Sequence, residues 1–175
     1  NPREYSMTTT SLHRPLWQQA AMLVFFFLLC FSAAAIGAIG SMSAPEFYGQ
    51  LQQPTWAPPA WLFGPVWTVL YAMMALAVWL VWRKGPSKAV TVAMVVFMLQ
   101  LTLNTLWSWL FFSWRSGAGA FVEIILLWLL IAFCILLFRR IQPLAGYLLV
   151  PYLVWVTFAS ALNFALWQAN PGVLG

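Results

Sequence analysis

The residues best suited to chemistry in this sequence are aromatic and amide side chains that recur at helical spacing. Trp67 and Tyr71 stand four residues apart. Two longer stripes, with members three or four residues apart, each combine aromatic side chains with amides: Gln100, Asn104, Trp107, Phe111 and Trp114, and then Tyr152, Trp155, Ala159 and Asn163. Such side chains can stack against a flat apolar molecule and orient it with a few hydrogen bonds. The pattern indicates a pocket, although helix packing with interhelical hydrogen bonds of about 1 kcal/mol each explains the same spacing.

The sequence lacks the residue sets on which hydrolytic, phosphoryl-transfer and metal chemistry depend. His13 is the only histidine and lies outside the predicted helices, while Cys30 and Cys134 belong to different helices. There is no Ser-His-Asp set, phosphate-binding loop or carboxylate pair. We therefore predict no metal site, no cofactor and no haem held by a histidine.

Glu123 is the one carboxylate inside the predicted membrane segments. An acid at membrane depth is a functional candidate by default, because a charge there is costly. The alternative is an acid that reaches the outer interface or pairs with Arg115. The sequence leaves both interpretations open.

The elements that position these residues must be membrane helices. Of the 175 residues, 63% are hydrophobic, 18% aromatic and only 6% charged, which is too little charge to cover a soluble domain. A cytosolic enzyme and a disordered chain are thereby excluded. The net charge of +5 comes from Lys and Arg spread along the chain, so it indicates membrane topology rather than nucleic-acid binding.

Five apolar segments are long enough to cross about 30 Å of hydrocarbon. Their bounds are about 17–40, 65–82, 89–113, 117–138 and 144–168. Runs such as 20–31 lack the alternation of a transmembrane barrel. The predicted fold is therefore an all-α bundle of five transmembrane helices in a single domain, 1–175, with consecutive helices as antiparallel neighbours because three connections are short.

The start of the chain allows a second interpretation. Arg14 precedes an apolar core and small residues at 32–35, as in a signal peptide. The apolar pattern continues through Ile36 and Ile39, which favours a membrane helix. Residues 1–6, before Met7, have no evident role and could be left over from expression.

Two features predict how the helices pack. Ala33, Gly37 and Ser41 form a stripe of small residues on the first helix, which predicts close approach to another helix in the monomer or in a dimer. Pro151 lacks a backbone N–H and should bend the fifth helix just before Trp155.

The first connection, 41–64, is long, contains no Lys or Arg, and has prolines that stiffen it. Its apolar residues would be buried if it folded over the helix ends, so we predict a lid. Seven of the eight Lys and Arg residues lie on the side of the membrane opposite the lid, and only Arg115 lies on the lid side. The positive-inside rule then places the N-terminus in the cytoplasm and the C-terminus outside.

The twelve tryptophans divide unequally between the two sides. Three form a cytoplasmic belt, two lie deeper, and the rest gather on the outer side: Trp17, Trp79 and Trp82; Trp128 and Trp155; then Trp56, Trp61, Trp67, Trp107, Trp109, Trp114 and Trp167. We interpret the outer excess as a feature of a binding site.

Three segments carry a resemblance to a known family. Residues 56–71 (WAPPAWLFGPVWTVLY), 100–108 (QLTLNTLWS) with Phe111 and Phe112, and 151–159 (PYLVWVTFA) with Asn163 and Trp167 closely resemble the tryptophan-rich sensory protein and translocator protein family, TspO/MBR, also called peripheral-type benzodiazepine receptors. The match covers most of 47–170 in the right order.

The resemblance implies a five-helix bundle, a homodimer in the lipid bilayer, that binds porphyrins or other flat hydrophobic small molecules. Trp67 and Trp155 match two tryptophans associated with porphyrin breakdown. Pocket positions of the family are matched by Tyr48, Pro58, Tyr71, Asn104 and Ala159. Phe164 and Gln168 stand where animal members have a Tyr and a basic residue in their cholesterol motif, which argues against cholesterol binding there.

Three functions compete at this point. The leading one is a membrane receptor or sensor for protoporphyrin IX and other haem-pathway tetrapyrroles, involved in tetrapyrrole regulation and stress response. The second is a light-dependent enzyme that degrades protoporphyrin IX, with Trp67 and Trp155 as electron or radical partners. The third is a transporter of tetrapyrroles or lipids, although no internal repeat is seen.

Overall fold

The structure, a computed structural model, describes residues 14–175. Within that range five helices are long and apolar enough to cross a membrane, and no strand occurs. The all-α bundle predicted from the sequence is thereby confirmed. The interpretations of Arg3, His13 and residues 1–6 fall outside the described residues.

The helix bounds agree closely with the predicted segments. In chain order the helices are α1, Leu16–Gly40; α2, Ala44–Gln50; α3, Phe63–Trp82; α4, Lys88–Ser108; α5, Gly117–Ile141; α6, Pro143–Leu148; α7, Val150–Ala169; and α8, Pro171–Leu174. A short 3-10 turn, Ala60–Leu62, leads into α3, and a π-helical turn, Trp109–Ser113, extends α4. The fifth membrane segment consists of α6 and α7 together.

Serine hydroxyls fix the starts of α4 and α5 after short turns. Ser87 accepts a hydrogen bond from the Val90 N–H at 3.1 Å, and Ser116 accepts one from the Gly119 N–H at 3.1 Å. Each hydroxyl satisfies one of the N–H groups that a helix start leaves without a partner. Gly85, with φ of 91°, supplies the left-handed residue that the α3–α4 turn requires.

The fifth membrane segment is interrupted near Pro151, as predicted. The α6 helix ends at Leu148, Leu149 lies between the two helices, and α7 begins at Val150. Proline provides no N–H for the preceding turn and its ring clashes with the carbonyl there. The break therefore precedes the proline.

The helices close into a ring in the order α1, α3, α6–α7, α5, α4. The prediction that consecutive helices are neighbours is wrong for α3 and α4, which make few contacts. They face each other across the interior instead, where Tyr71 of α3 reaches Asn104 of α4. This arrangement turns the aromatic stripes of α3, α4 and α7 toward one another.

The predicted close approach of the small-residue stripe occurs within the monomer, between α1 and α4. A Cβ on Gly37 would lie 3.6 Å from the Ser108 hydroxyl. The carbonyl of Ala33 accepts a hydrogen bond from the Thr105 hydroxyl at 3.2 Å, and that of Ile36 accepts one from the Trp109 indole N–H at 3.1 Å. The second half of α1 is therefore tied to α4.

We call the half of the bundle near residues 41–62 the lid half and the other half the base. The base is a closely packed core in which Phe97 and Phe138 stack with ring centroids 5.9 Å apart, and both are fully buried. Val78 and Ala93 are also fully buried. The base therefore holds the bundle together, and the open space lies in the lid half.

Candidate functional site

A cavity in the lid half has two adjoining compartments. The deep compartment has a volume of about 320 Å³ and extends toward the base, and the lid compartment, about 230 Å³, lies under residues 44–60. Six residues line both compartments: Ser41, Phe63, Trp67, Trp107, Ser108 and Ala159. The combined space falls in the range of small-molecule sites, about 300–1,000 Å³.

A chain of hydrogen bonds forms the floor of the deep compartment. The Tyr71 hydroxyl donates to Oδ1 of Asn104 at 2.7 Å, and Nδ2 of Asn104 donates to the Tyr152 hydroxyl at 2.6 Å. The Tyr152 hydroxyl then donates to Oε1 of Gln100 at 2.7 Å. The chain joins α3, α4 and α7, and all four side chains are buried. Because Asn104 bonds to the protein through both amide atoms, it mainly fixes the shape of the floor.

A second amide orients one wall of the lid compartment. Oδ1 of Asn163 accepts a hydrogen bond from the Trp107 indole N–H at 3.0 Å, and Nδ2 of Asn163 donates to the Gly117 carbonyl at 3.2 Å. Asn163 thus links α4, α5 and α7. The ring of Trp107 is held in one orientation as a result.

Trp67 and Trp155 both line the lid compartment. The Trp67 ring lies against Tyr71, with centroids 5.7 Å apart, and Trp155 lies against Phe63 at 5.9 Å. The indole N–H of Trp155 is buried and has no hydrogen-bond partner among the described residues. An unpaired buried donor is costly, and an apolar ring at this position would break no hydrogen bond within the described structure.

The lid is held down by contacts with distant parts of the chain. The backbone N–H of Gln52 donates to Oδ1 of Asn170, and Nδ2 of Asn170 donates to the Gln52 carbonyl, each at 2.9 Å. The Arg115 guanidinium lies 4.4 Å from the centre of the Phe47 ring, a cation–π contact. These contacts join α2 and its neighbours to the ends of α4 and α7. They were not predicted, since Gln52 and Asn170 stand 118 positions apart.

Tyr48 and Pro58 act together inside the lid. The Tyr48 hydroxyl donates to the Pro58 carbonyl at 2.7 Å. Burial raises the pKa of the Tyr48 phenol above its ordinary value, so the phenol remains a neutral donor at physiological pH. Tyr48 lines the lid compartment, whereas Pro58 lines neither compartment and holds Tyr48 in place.

The structure brings the other predicted site residues to the same cavity. They divide between the two compartments: Trp67, Trp107 and Ala159 line both, Tyr71 and Asn104 the deep one, and Tyr48, Trp155 and Asn163 the lid one. Eight of the nine predicted residues therefore surround one space.

The predicted stripe on α4 holds as far as Phe111 and fails at Trp114. Trp114 is 60% exposed and contacts Trp109 instead of the interior. The π-helical turn at Trp109–Ser113 adds a residue to the turn and rotates the residues after it. The prediction that Trp114 faces the interior is wrong for this reason.

Of the seven outer tryptophans, Trp67 and Trp107 line the cavity, where Trp155 of the deeper pair joins them. Trp56 and Trp61 of the lid are 48% and 72% exposed, against the prediction that the lid would bury them. Trp109 packs on Gly40, and Trp167 packs on Gly117. Most outer tryptophans therefore serve the membrane interface or helix packing.

Glu123 neither reaches the interface nor pairs with Arg115. It is only 6% exposed, and both carboxyl oxygens lack a hydrogen-bond partner among the described residues. Arg115 contacts Phe47 instead. Glu123 also lines neither compartment, so the cavity does not account for it.

Comparison with known proteins finds a matching family profile and relatives that cover most of the chain. Residues 25–168 match the profile of the TspO/MBR family. Tryptophan-rich protein TspO of Chlorobaculum tepidum is 46% identical over 142 residues, 78% of this chain and 90% of that protein. The translocator protein of Homo sapiens is 37% identical over 132 residues, which cover 74% of this chain and 78% of that protein. The tryptophan-rich sensory protein of Cereibacter sphaeroides is 35% identical over 150 residues, 86% and 92% of the two chains.

Proposed function

This chain belongs to the TspO/MBR family, and we propose that it is a membrane receptor or sensor whose lidded cavity binds porphyrins and other flat hydrophobic molecules. The chain is an integral, multi-pass membrane protein, and its relatives are named for sensing and translocation. The observation that carries the proposal is the cavity bounded by Trp67, Trp107 and Trp155 under a fastened lid.

The lining selects for an apolar aromatic body with few polar groups. No charged side chain is among the described residues that line either compartment. The polar atoms of Asn104 and Asn163 are bonded within the protein and the Trp155 N–H is buried, so the Ser108 hydroxyl, which lines both compartments, is among the few polar groups left for a ligand. A free-base porphyrin fits these conditions because its ring stacks on indoles and needs no axial ligand. Its carboxylates would lie outside the apolar lining.

Tryptophan fluorescence tests the proposal. Protoporphyrin IX should quench the protein saturably, and a Trp67→Phe, Trp155→Phe variant should bind it more weakly. The matched control, Trp17→Phe with Trp114→Phe, changes two exposed tryptophans and should keep wild-type affinity. Equal affinity in all three proteins would refute this site.

Light-dependent degradation of protoporphyrin IX is the second candidate. It is favoured by the placement of Trp67 and Trp155 in the same compartment, since one bound ring could contact both indoles. Illumination in the presence of dioxygen should then convert many equivalents of porphyrin per protein to one product. Stoichiometric bleaching with damage to the protein would rule out an enzyme.

Topology and assembly belong to the same proposal. Arg14, Arg83 and Arg139 lie at the end of the bundle away from the lid, and Arg115 lies on the lid side. Under the positive-inside rule this distribution supports an outside location for the lid and the C-terminus. Reaction of a Gln168→Cys variant with an impermeant thiol reagent, applied from outside to intact cells, tests the location of the C-terminus.

The homodimer is tested by mass photometry of the protein in nanodiscs, where a single-copy mass would contradict it.

A further inference from the structure

The exposed residues that line the deep compartment lie on the lid-side halves of α1 and α3. Of the described residues that line this compartment, only Ala38, Gly64 and Thr68 are exposed. Ala38 belongs to α1, and Gly64 and Thr68 belong to the first two turns of α3. We call the opening at these residues the slot.

The slot exists because α1 contacts different helices along its length. In the base, α1 is joined to α3, where the Trp79 indole N–H donates to the Gln19 carbonyl at 2.8 Å. In the lid half, the hydrogen bonds to the Ala33 and Ile36 carbonyls hold α1 on α4. The deep compartment opens between α1 and α3 on the lid side of the Trp79 contact.

Small side chains keep the slot open. Ala34 and Ala38 line it from α1, and a Cβ added to Gly64 of α3 would meet no atom within 4 Å. Phe31 and Tyr71 close its lower end, with ring centroids 6.2 Å apart. The slot is thus an opening that two aromatic rings close at its lower end.

The lid offers less opportunity for passage than the slot. Asn170 and Arg115 fasten it at two points. Of the residues that line the lid compartment, only Pro45 is exposed. A ligand that entered through the lid would have to break these contacts.

The depth of the slot matches the position of amphiphiles in a bilayer. With a rise of about 1.5 Å per residue, Ala38 lies roughly 3 Å and Ala34 roughly 9 Å below the end of α1 at Gly40. This is the level at which headgroups meet acyl chains. A molecule with a flat apolar body and a polar edge would already lie at this level.

We propose that the slot is the entrance through which flat amphiphiles pass from the lid-side leaflet into the cavity. The inference rests on the proposed binding function and adds the route. The lid then retains the ligand, and the bilayer acts as the reservoir from which the protein samples it.

Binding rates in nanodiscs test the slot, with protoporphyrin IX as the probe and stopped-flow tryptophan quenching as the signal. Ala38→Phe and Thr68→Phe place a ring in the slot from either side. Each should slow association and dissociation in parallel, by about tenfold or more, so that either rate constant changes far more than Kd does. Ala35→Phe and Val69→Phe are the controls, because these neighbouring positions are exposed but do not line the cavity. They should keep wild-type rates.

Weakening the lid separates the two routes. Asn170→Ala should leave association through the slot unchanged. Faster association in Asn170→Ala, with wild-type rates in Ala38→Phe and Thr68→Phe, would overturn the slot in favour of the lid. A changed Kd with unchanged association would make these residues part of the binding wall and would also overturn it. Absence of equilibrium quenching in the wild type would instead refute the proposed function, and the slot with it.

Discussion

The base and the lid half are built from the same helices but pack differently. In the base, Phe97, Phe138 and Val78 are fully buried in the same hydrophobic core. In the lid half, Trp67, Trp107 and Trp155 surround empty space. The helices therefore obtain their stability at one end, which permits a cavity at the other.

Disturbing the base should have the largest effect on stability. Phe97→Ala removes a fully buried ring and should lower the free energy of unfolding by about 3 kcal/mol, the usual cost of such a cavity. Affinity of the folded protein for protoporphyrin IX should be retained. Thermal unfolding followed by circular dichroism measures the first effect. Leu99→Ala, on the same helix but 52% exposed, is the control, and equal losses in both would contradict the role of the base.

Disturbing the hydrogen-bonded floor of the deep compartment should have the second-largest effect on stability. Asn104→Ala leaves the hydroxyls of Tyr71 and Tyr152 without their amide partner, so we expect a loss of about 1–3 kcal/mol. Affinity should fall as well, because the floor loses its shape. Thr102→Ala is the matched control, since its hydroxyl bonds only to the Met98 carbonyl of its own helix. A wild-type unfolding midpoint in Asn104→Ala would show that the hydrogen-bond chain is dispensable.

Loosening the lid should change the local stability of the lid more than the global stability of the protein. Asn170→Ala removes both hydrogen bonds to the Gln52 backbone and should shift global stability by about 1 kcal/mol or less, because the base is untouched. Hydrogen exchange within α2 should become faster. Gln168→Ala, at an exposed position near the same helix end, should show wild-type exchange. Unchanged exchange in Asn170→Ala would mean that other contacts hold the lid.

Two tryptophans of the cavity should differ in their effect on stability, and Trp155 should have the smallest effect of all. Trp107→Phe loses the hydrogen bond to Asn163 and should cost about 1 kcal/mol. Trp155→Phe loses no hydrogen bond within the described structure, so its unfolding midpoint should match the wild type while its affinity for protoporphyrin IX falls. Paired unfolding and quenching measurements decide the point. Wild-type affinity in Trp155→Phe would show that its indole ring takes no part in binding.

Helical periodicity and the cost of polar groups in lipid were enough to predict much of this arrangement. The spacing of Trp67 and Tyr71, and of Tyr152 and Trp155, identified faces that do meet inside the bundle. Asn104 was predicted to turn inward because an amide is costly in hydrocarbon. Its hydrogen bonds to Tyr71 and Tyr152 show which partners it finds there.

The remaining features depend on contacts that no local pattern encodes. The π-helical turn that exposes Trp114 is one extra residue within an otherwise helical repeat. The Asn170 contact joins two distant parts of the chain. The α2 helix contains Pro45 and Gly49, which are typical of a loop. The segment is nevertheless helical, with Phe47 buried against the bundle. Tertiary packing determines all three.

A structure of the protein with protoporphyrin IX in a lipid environment would show directly whether the lidded cavity is the binding site. We expect the ring to lie between Trp67, Trp107 and Trp155. A porphyrin on the lipid-facing surface beside Trp109 and Trp114, with the lidded cavity empty, would contradict the proposed site.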